Sequence, residues 1–400
     1  MHFINFLPNS LLPSRTALAF ILLILSPVSL AKSASLIEID SFGSDPYKNL
    51  AQSGDYFIAT GTDSNGGSDS SPVIDLVHYE NSTFAHIETV NLNKLLTTTS
   101  DLVVKDVISI NGYFVILAMA GSDLHFVVAD VVEGKFNQVS ELALGYGTTT
   151  ATLLKGEGNH LYLVDRYGTD LVVKHLSLDD EAVLKQQSSR TFGEISQNYP
   201  TYEDWFAAGI NANHLIVAIN DKGNKATFYQ LPLDNQGVLE APVVLSFENA
   251  KDEYNNILIQ GDSLYLSYVS SGFQVTQLTG NSISLLQGVD VSSINSFSML
   301  AAGLLVAKSP FYLYLYDVSD SNNISLLTSY DPENFVGDMV VSDGQIYVTR
   351  KSSGIEAINI NDENAFVSVA SDAYSGAVTD FTVKGETLVS SANTRSLNVW

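Results

Sequence analysis

The sequence contains no cysteine, so the protein has neither a disulfide framework nor a thiol nucleophile. Without disulfides, the stability of the fold must come from its core. The chain has 400 residues, of which 45% are hydrophobic, and this composition is sufficient for a large core. The missing cysteine also excludes attachment of a lipid to that residue type behind an N-terminal leader.

Basic residues are scarce: 19 Lys and Arg stand against 44 Asp and Glu, which gives a formal net charge of −25. Such a chain repels polyanions, so we expect no nucleic-acid partner. The acidic residues are spread along the chain without a run. Solubility explains this distribution, and the alternative is selective binding of a cationic partner or a metal.

Motifs for catalysis are also missing. The sequence has no G-x-S-x-G elbow and no phosphate-binding glycine loop. Its histidines lack metal-ligand spacing, and His160 and His214 share the local sequence NHL, which indicates a scaffold role. The sequence therefore favours a non-catalytic protein that requires no cofactor.

A single long apolar run, TALAFILLILSPVSLA, lies near the N-terminus. Pro27 interrupts it, and Ser29 and Ala31 occupy the small-residue positions of a cleavage site. The run is short for a membrane span of roughly 20 residues. We predict a signal peptide over residues 1–31 and one mature domain over residues 32–400, with a retained anchor as the alternative. No later segment resembles a transmembrane helix, and an exported chain without cysteine suggests a periplasmic or secreted bacterial protein.

One pattern recurs every 40 to 57 residues: a polar or glycine-containing turn followed by an apolar strand. Examples are SGDYFIATG, INGYFVILA, EGNHLYLVD and SDGQIYVTR. The equivalent apolar positions are Phe57, Phe114, Leu161, Leu215, Leu264, Leu304, Ile346 and Leu388. Recurrence at spacings of this length indicates a repeat architecture.

Each unit contains four strand signals separated by turns of Asp, Asn, Ser and Gly, and this combination predicts a four-stranded β-propeller blade. The last unit ends at TRSLNVW after three strands, whereas SLIEIDSF, residues 35–42, matches a fourth strand. We therefore predict an all-β propeller whose N-terminal strand completes the last blade, because closure leaves no open sheet edge. The count is eight blades, or seven if one unit has been divided in error.

The segments LYLYDVSDSNN, VIDLVHYENS and IEAININD resemble LVIVD-repeat propellers, in which a strand ending in an acid leads into a Ser/Asp/Asn turn. The resemblance is clearest over residues 313–331, and the proline that usually follows the turn is absent. It implies an extracellular or surface propeller, usually of unassigned function.

The loop TDSNGGSDSS, residues 62–71, is a candidate calcium site. Asp63, Asn65 and Asp69 alternate as oxygen ligands do in a calcium loop. The closing glutamate of an EF-hand is missing, so a solvated loop is the alternative.

The connection GEISQNYPTYEDWF is the second candidate. Tyr199, Tyr202 and Trp205 stand among Glu203 and Asp204. Aromatic rings with carboxylates suit recognition of a protein, peptide or carbohydrate ligand or of a cationic group. Packing of the rings over the top of the blades is the alternative.

The third candidate, DRYGTD, belongs to the third blade and should neighbour the second loop. Arg166 could contact a ligand, or it could neutralise Asp165 or Asp170.

The sequence thus favours an exported binding or interaction module. The main alternative is a metal-dependent lyase or hydrolase with its site at the central top opening, using Asp63, Asp69 or Asp165. A propeller carried in a surface adhesion complex is a further alternative. An outer-membrane barrel ending at Trp400 fits less well, since the second strands are short and apolar throughout.

Overall fold

The computed structural model describes residues 35–37, 49–63, 71–80, 83–96, 102–148, 151–194, 206–221, 223–269, 272–332, 336–350, 354–371, 378–384, 387–392 and 396–399. The chain divides into two units, residues 1–32 and residues 33–400. The predicted signal peptide lies outside the described residues and stays a prediction. None of the described helical structure is long and apolar enough to span a membrane.

The protein is an all-β propeller, as the repeat predicts. Seven four-stranded blades are each built from consecutive antiparallel strands, and a further four-stranded sheet combines both ends of the domain. Blade 1 contains β2 (Asn49–Ser53), β3 (Tyr56–Asp63), β4 (Ser71–Glu80) and β5 (Thr83–Asn91). Blade 2 contains β6 (Leu102–Ile110), β7 (Tyr113–Ala120), β8 (Asp123–Val132) and β9 (Lys135–Tyr146). Blade 3 contains β10 (Thr152–Lys155), β11 (His160–Tyr167), β12 (Asp170–Leu178) and β13 (Leu184–Glu194).

The remaining blades repeat the same strand order. Blade 4 contains β14 (Phe206–Ile210), β15 (His214–Ile219), β16 (Thr227–Pro232) and β17 (Val243–Leu245). Blade 5 contains β18 (Tyr254–Gln260), β19 (Ser263–Tyr268), β20 (Phe273–Thr279) and β21 (Ser282–Val289). Blade 6 contains β22 (Ser296–Ala301), β23 (Leu304–Lys308), β24 (Leu313–Asp317) and β25 (Ser325–Tyr330). Blade 7 contains β26 (Val336–Ser342), β27 (Gln345–Arg350), β28 (Gly354–Ile360) and β29 (Phe366–Ser371), and one helical turn, α1 (Leu92–Leu95), lies between blades 1 and 2.

The closing sheet joins the two ends of the domain. It contains β30 (Val378–Lys384), β31 (Thr387–Ala392), β32 (Ser396–Val399) and, as the outermost strand, β1 (Ser35–Ile37). Ser35 pairs with Val399 and Ile37 with Leu397 in the antiparallel register. The predicted N-terminal closure is confirmed, although the described strand is shorter than the predicted segment 35–42.

The buried core lies between neighbouring sheets, because no single blade can cover both of its own faces. Second strands carry the deepest side chains: Phe57 and Phe114 have no exposed surface, and Leu304 is the half-buried exception among the eight repeat positions. At the closing junction, Leu50 and Phe57 of blade 1 pack in one cluster with Val389 of β31. Removal of this apolar surface from water, at about 25 cal/mol per Å², drives the blades together.

Tight turns set the register of the first two strands of a blade. Asn111 and Gly112 have φ values of 50° and 87°, and Asp343 and Gly344 have φ values of 50° and 75°. Two consecutive left-handed residues are typical of the two-residue hairpin turns that Asn-Gly and Asp-Gly favour. The sequence signal for these hairpins was therefore correct.

Strand direction gives the ring two distinct faces. The upper face carries the loops between second and third strands and the links between sheets, and the lower face carries the other turns. The fourth strand of blade 4 is short, since only Val243–Leu245 forms β17.

Candidate binding surface

The predicted calcium loop falls mostly outside the described residues. Asp63 ends β3 and pairs with Ser71, while Asn65 and Asp69 lie outside the described part. Within the described residues, no group of three or more His, Cys, Asp or Glu side chains is placed to hold a metal ion. Calcium binding by this loop stays a prediction.

The aromatic connection is likewise outside the described residues, which stop at Glu194 and resume at Phe206, so nothing is described of Tyr199, Tyr202, Glu203, Asp204 and Trp205. Asp170, at the start of β12, lies opposite Glu194, at the end of β13. The chain therefore enters this connection beside the loop that contains Arg166.

Asp165 anchors the link into blade 3. The residue is 4% exposed, and its carboxylate accepts hydrogen bonds from the Thr148 backbone nitrogen at 3.1 Å and from Thr148 Oγ1 at 2.5 Å. The Arg166 backbone nitrogen donates to the same carboxylate at 2.7 Å, while Arg166 Nε donates to the Gly168 carbonyl. Burial raises the pKa of Asp165, and the hydrogen bonds from Thr148 and Arg166 oppose that shift. This carboxylate, a metal-ligand candidate by sequence, holds two parts of the upper face together.

Asp165→Ala is expected to lower the free energy of unfolding by about 2 kcal/mol, because it leaves three partly buried donors of Thr148 and Arg166 without their acceptor. Asp170→Ala, five residues away at a half-buried position, is the matched control and should cost under about 0.5 kcal/mol. Urea denaturation at pH 7.5 measures both. Equal effects of the two substitutions would contradict the anchoring role.

Two tyrosines of neighbouring blades meet on the upper face, and sequence reasoning did not identify them. Tyr146 ends β9 of blade 2 and Tyr167 ends β11 of blade 3, with 50% and 59% of their surfaces exposed. Their ring centroids are 5.4 Å apart and the ring planes meet at 89°. Asp123 lies opposite Tyr146, and Asp170 lies opposite Tyr167. We call these four residues the tyrosine patch.

A local signal for the tyrosine patch exists in the sequence. Both tyrosines precede a glycine at a strand end, in GYG and RYG. Gly147 is required by close packing, since a Cβ there would lie 2.2 Å from Leu124 Cδ1. The Tyr-Gly pair therefore occurs where a fourth strand and a second strand end on the same face.

The histidines on the lower face form part of the scaffold. His160 Nδ1 lies 2.9 Å from His175 Nε2, and the fully buried His175 ring stacks on Tyr162 at 4.9 Å. Tyr162 donates to the Gly237 carbonyl of blade 4 at 2.7 Å. Burial, the largest cause, and the neighbouring His160 lower the pKa of His175 to about 4, against an opposing effect of Asp234.

The equivalent position of blade 4 uses a different partner. His214 Nδ1 lies 2.8 Å from Gln230 Nε2, so a glutamine replaces the second histidine. Burial lowers the pKa of His214 as it lowers the pKa of His160. Both histidines thus bond to the third strand of their own blade.

One acidic residue lies at the junction of the closing sheet and blade 1. Asp380 of β30 accepts hydrogen bonds from the backbone nitrogens of Leu50 at 2.7 Å and Phe381 at 2.8 Å. Burial, the largest cause, together with the charges of Asp338 and Asp106, raises the pKa of Asp380 to about 6, against the effect of those hydrogen bonds. Asp380 therefore connects the closing sheet to blade 1, a role that the sequence did not reveal.

The fold and this surface define a β-propeller with exposed aromatic residues on its upper face. No family model matches the sequence, and no curated protein matches it. The LVIVD resemblance therefore stays a prediction.

Solved structures show the same architecture. Sqt1 of Saccharomyces cerevisiae is 11% identical, with 92% of this chain and 99% of that chain covered and a TM-score of 0.62. BamB of Moraxella catarrhalis is 14% identical, with 92% and 96% covered and a TM-score of 0.55. The C-terminal WD40 domain of Sif2 is 13% identical, with 91% and 97% covered and a TM-score of 0.59. Identities this low show the fold alone.

Proposed function

We propose that the protein is an exported β-propeller that binds a protein or peptide partner through its upper face, without catalysis. The observation that carries the proposal is the pair of exposed tyrosines at the junction of blades 2 and 3. Aromatic side chains that remain exposed and lie against one another are typical of interface anchors. The fold shared with a WD40 domain supports an interaction role.

Three features support the location of this surface. The loops and links of a propeller converge on one face, and loops held by a rigid scaffold commonly carry binding residues. The hydrogen bonds of Asp165 fix the link and the loop beside the tyrosines. The connection with Tyr199, Tyr202 and Trp205 begins after Glu194, beside Asp170, and would extend the same surface.

A crosslinking capture experiment tests the proposal. The bait is the mature chain, residues 32–400, presented to envelope and secreted extracts of its source organism. Two variants are compared with the wild type: the double substitution Tyr146→Ala with Tyr167→Ala, and a replacement of residues 198–205 by Gly/Ser. We expect each variant to lose capture of a specific partner.

The matched control is Val132→Ser, which changes a residue of blade 2 that is 48% exposed at the opposite end of the strand pair. This control should capture the partner at the wild-type level. Capture that is unaffected by both upper-face variants, or no capture by the wild-type bait, would contradict the proposed function.

A further inference from the structure

The rings of the tyrosine patch form an open corner. Tyr146 and Tyr167 stand at 89° to each other with their centroids 5.4 Å apart, so the rings present two differently oriented walls. Roughly half of each side chain faces solvent. The faces of aromatic rings are electron-rich and attract a cation placed within about 6 Å.

Two acidic residues flank this corner. Asp123 is exposed and Asp170 is half-buried, and each lies opposite one of the two tyrosines. The nearby cations of blade 3 have partners within the fold: Arg166 Nε donates to the Gly168 carbonyl, and Lys174 Nζ donates to the Leu144 carbonyl at 3.2 Å. The protein as a whole carries a formal charge of −25, so its field attracts cations.

We propose that the tyrosine patch binds an arginine side chain of an extended partner segment. The guanidinium would lie against the ring of Tyr146 or Tyr167 and would donate to Asp123 or Asp170. A guanidinium is planar, so it stacks on aromatic faces and donates two parallel hydrogen bonds to a carboxylate. An ammonium group stacks less well and cannot make this paired hydrogen bond. This inference deepens the proposed function and rests on it.

Fluorescence anisotropy with labelled nine-residue Gly/Ser peptides tests the inference. One peptide carries three arginines, the second carries three lysines, and the third carries three citrullines, which keep the shape of arginine and lose its charge. We expect the arginine peptide to bind about tenfold more tightly than the citrulline peptide in low salt, and more tightly than the lysine peptide.

Substitutions separate the patch from general attraction to an acidic protein. Tyr146→Ala or Tyr167→Ala should weaken arginine-peptide binding about fivefold, while Tyr146→Phe should retain it. Asp123→Asn with Asp170→Asn should also weaken binding and reduce its salt dependence. Val132→Ser and Phe311→Ser, at positions 48% and 58% exposed elsewhere on the protein, are the controls and should bind normally.

Equal affinity for the arginine and citrulline peptides would overturn the inference, and so would binding that survives loss of both tyrosines. If the arginine peptide does not bind while partner capture still depends on the tyrosines, arginine recognition is wrong and the proposed binding of a partner through the upper face stands. If the wild-type protein also captures no partner, or captures one independently of the tyrosines and of residues 198–205, both proposals are wrong.

Discussion

His175→Gln is expected to make the protein less stable than wild type at pH 7.5 and more stable at pH 4.5. His175 is fully buried, and its Nδ1 atom has no hydrogen-bond partner among the described residues. Its pKa in the folded protein is about 4, against an ordinary value of 6.5. The unfolded chain therefore binds more protons between pH 6.5 and pH 4, and the stability of the folded state decreases as the pH falls through that window.

The expected magnitudes follow from the pKa shift and from the ring contact. The full shift of His175 corresponds to a pH-dependent loss of stability of at most about 3 kcal/mol. The folded protein has lost none of it above pH 6.5 and most of it by pH 4. Glutamine does not titrate and can keep the bond to His160, as Gln230 bonds to His214 in blade 4. It removes the stacking on Tyr162, which is worth about 1 kcal/mol. The variant should lose about 1 kcal/mol at pH 7.5 and gain about 2 kcal/mol at pH 4.5.

The His175→Gln variant and the wild type share the other titratable groups that face His175. Urea denaturation of the two at several pH values therefore measures the contribution of His175 to the pH dependence of stability. His160 and Tyr162 lie on the same blade, and Asp234 lies on the blade 4 turn packed against them. The reciprocal change Gln230→His should add an acid-induced loss of stability to blade 4. Parallel stability curves for His175→Gln and wild type would contradict a neutral, buried His175.

The repeat could be predicted from sequence because its signal is local. A turn of Asn, Asp or Gly followed by an apolar strand recurs in each unit, and the burial of Phe57, Leu161 and Ile346 follows from the position of second strands between two neighbouring blades. Closure by Ser35–Ile37 was predictable by elimination, because the last unit lacked a fourth strand and the N-terminal strand signal belonged to no other unit. Outer strands such as Val243–Leu245 give a weaker sequence signal, since they lie at the rim and carry no continuous buried pattern.

The candidate surface was less accessible to sequence reasoning because its contacts are not local. Tyr146 and Tyr167 belong to different blades, and no periodicity links positions at the exits of a fourth and a second strand. Asp380 bonds to Leu50 across 330 positions, a contact that exists only when the ring closes. Asp165 was singled out by sequence, but its hydrogen bonds to Thr148 depend on how the link folds back over the blade.

Removal of the N-terminal strand is expected to produce the largest loss of thermal stability. In a mature chain that lacks residues 33–37, β32 loses the partner that pairs with it from Ser35 to Ile37. The closing sheet then has three strands with β32 as its unpaired outer edge, and the ends of the domain are no longer joined through one sheet. We expect the melting temperature to fall by roughly 5–10 °C, which corresponds to several kcal/mol in a domain of this size.

A strand supplied separately distinguishes loss of closure from general misfolding. A synthetic peptide with the sequence of residues 33–42 should pair with β32 and restore part of the melting temperature, because antiparallel pairing needs no covalent link. Leu36→Val in the intact chain keeps strand propensity and is the matched control, with a change of about 2 °C or less. A truncated protein that melts with the control would show that the ring is held by its inner contacts, such as Asp380 with Leu50, and that the shared sheet contributes little.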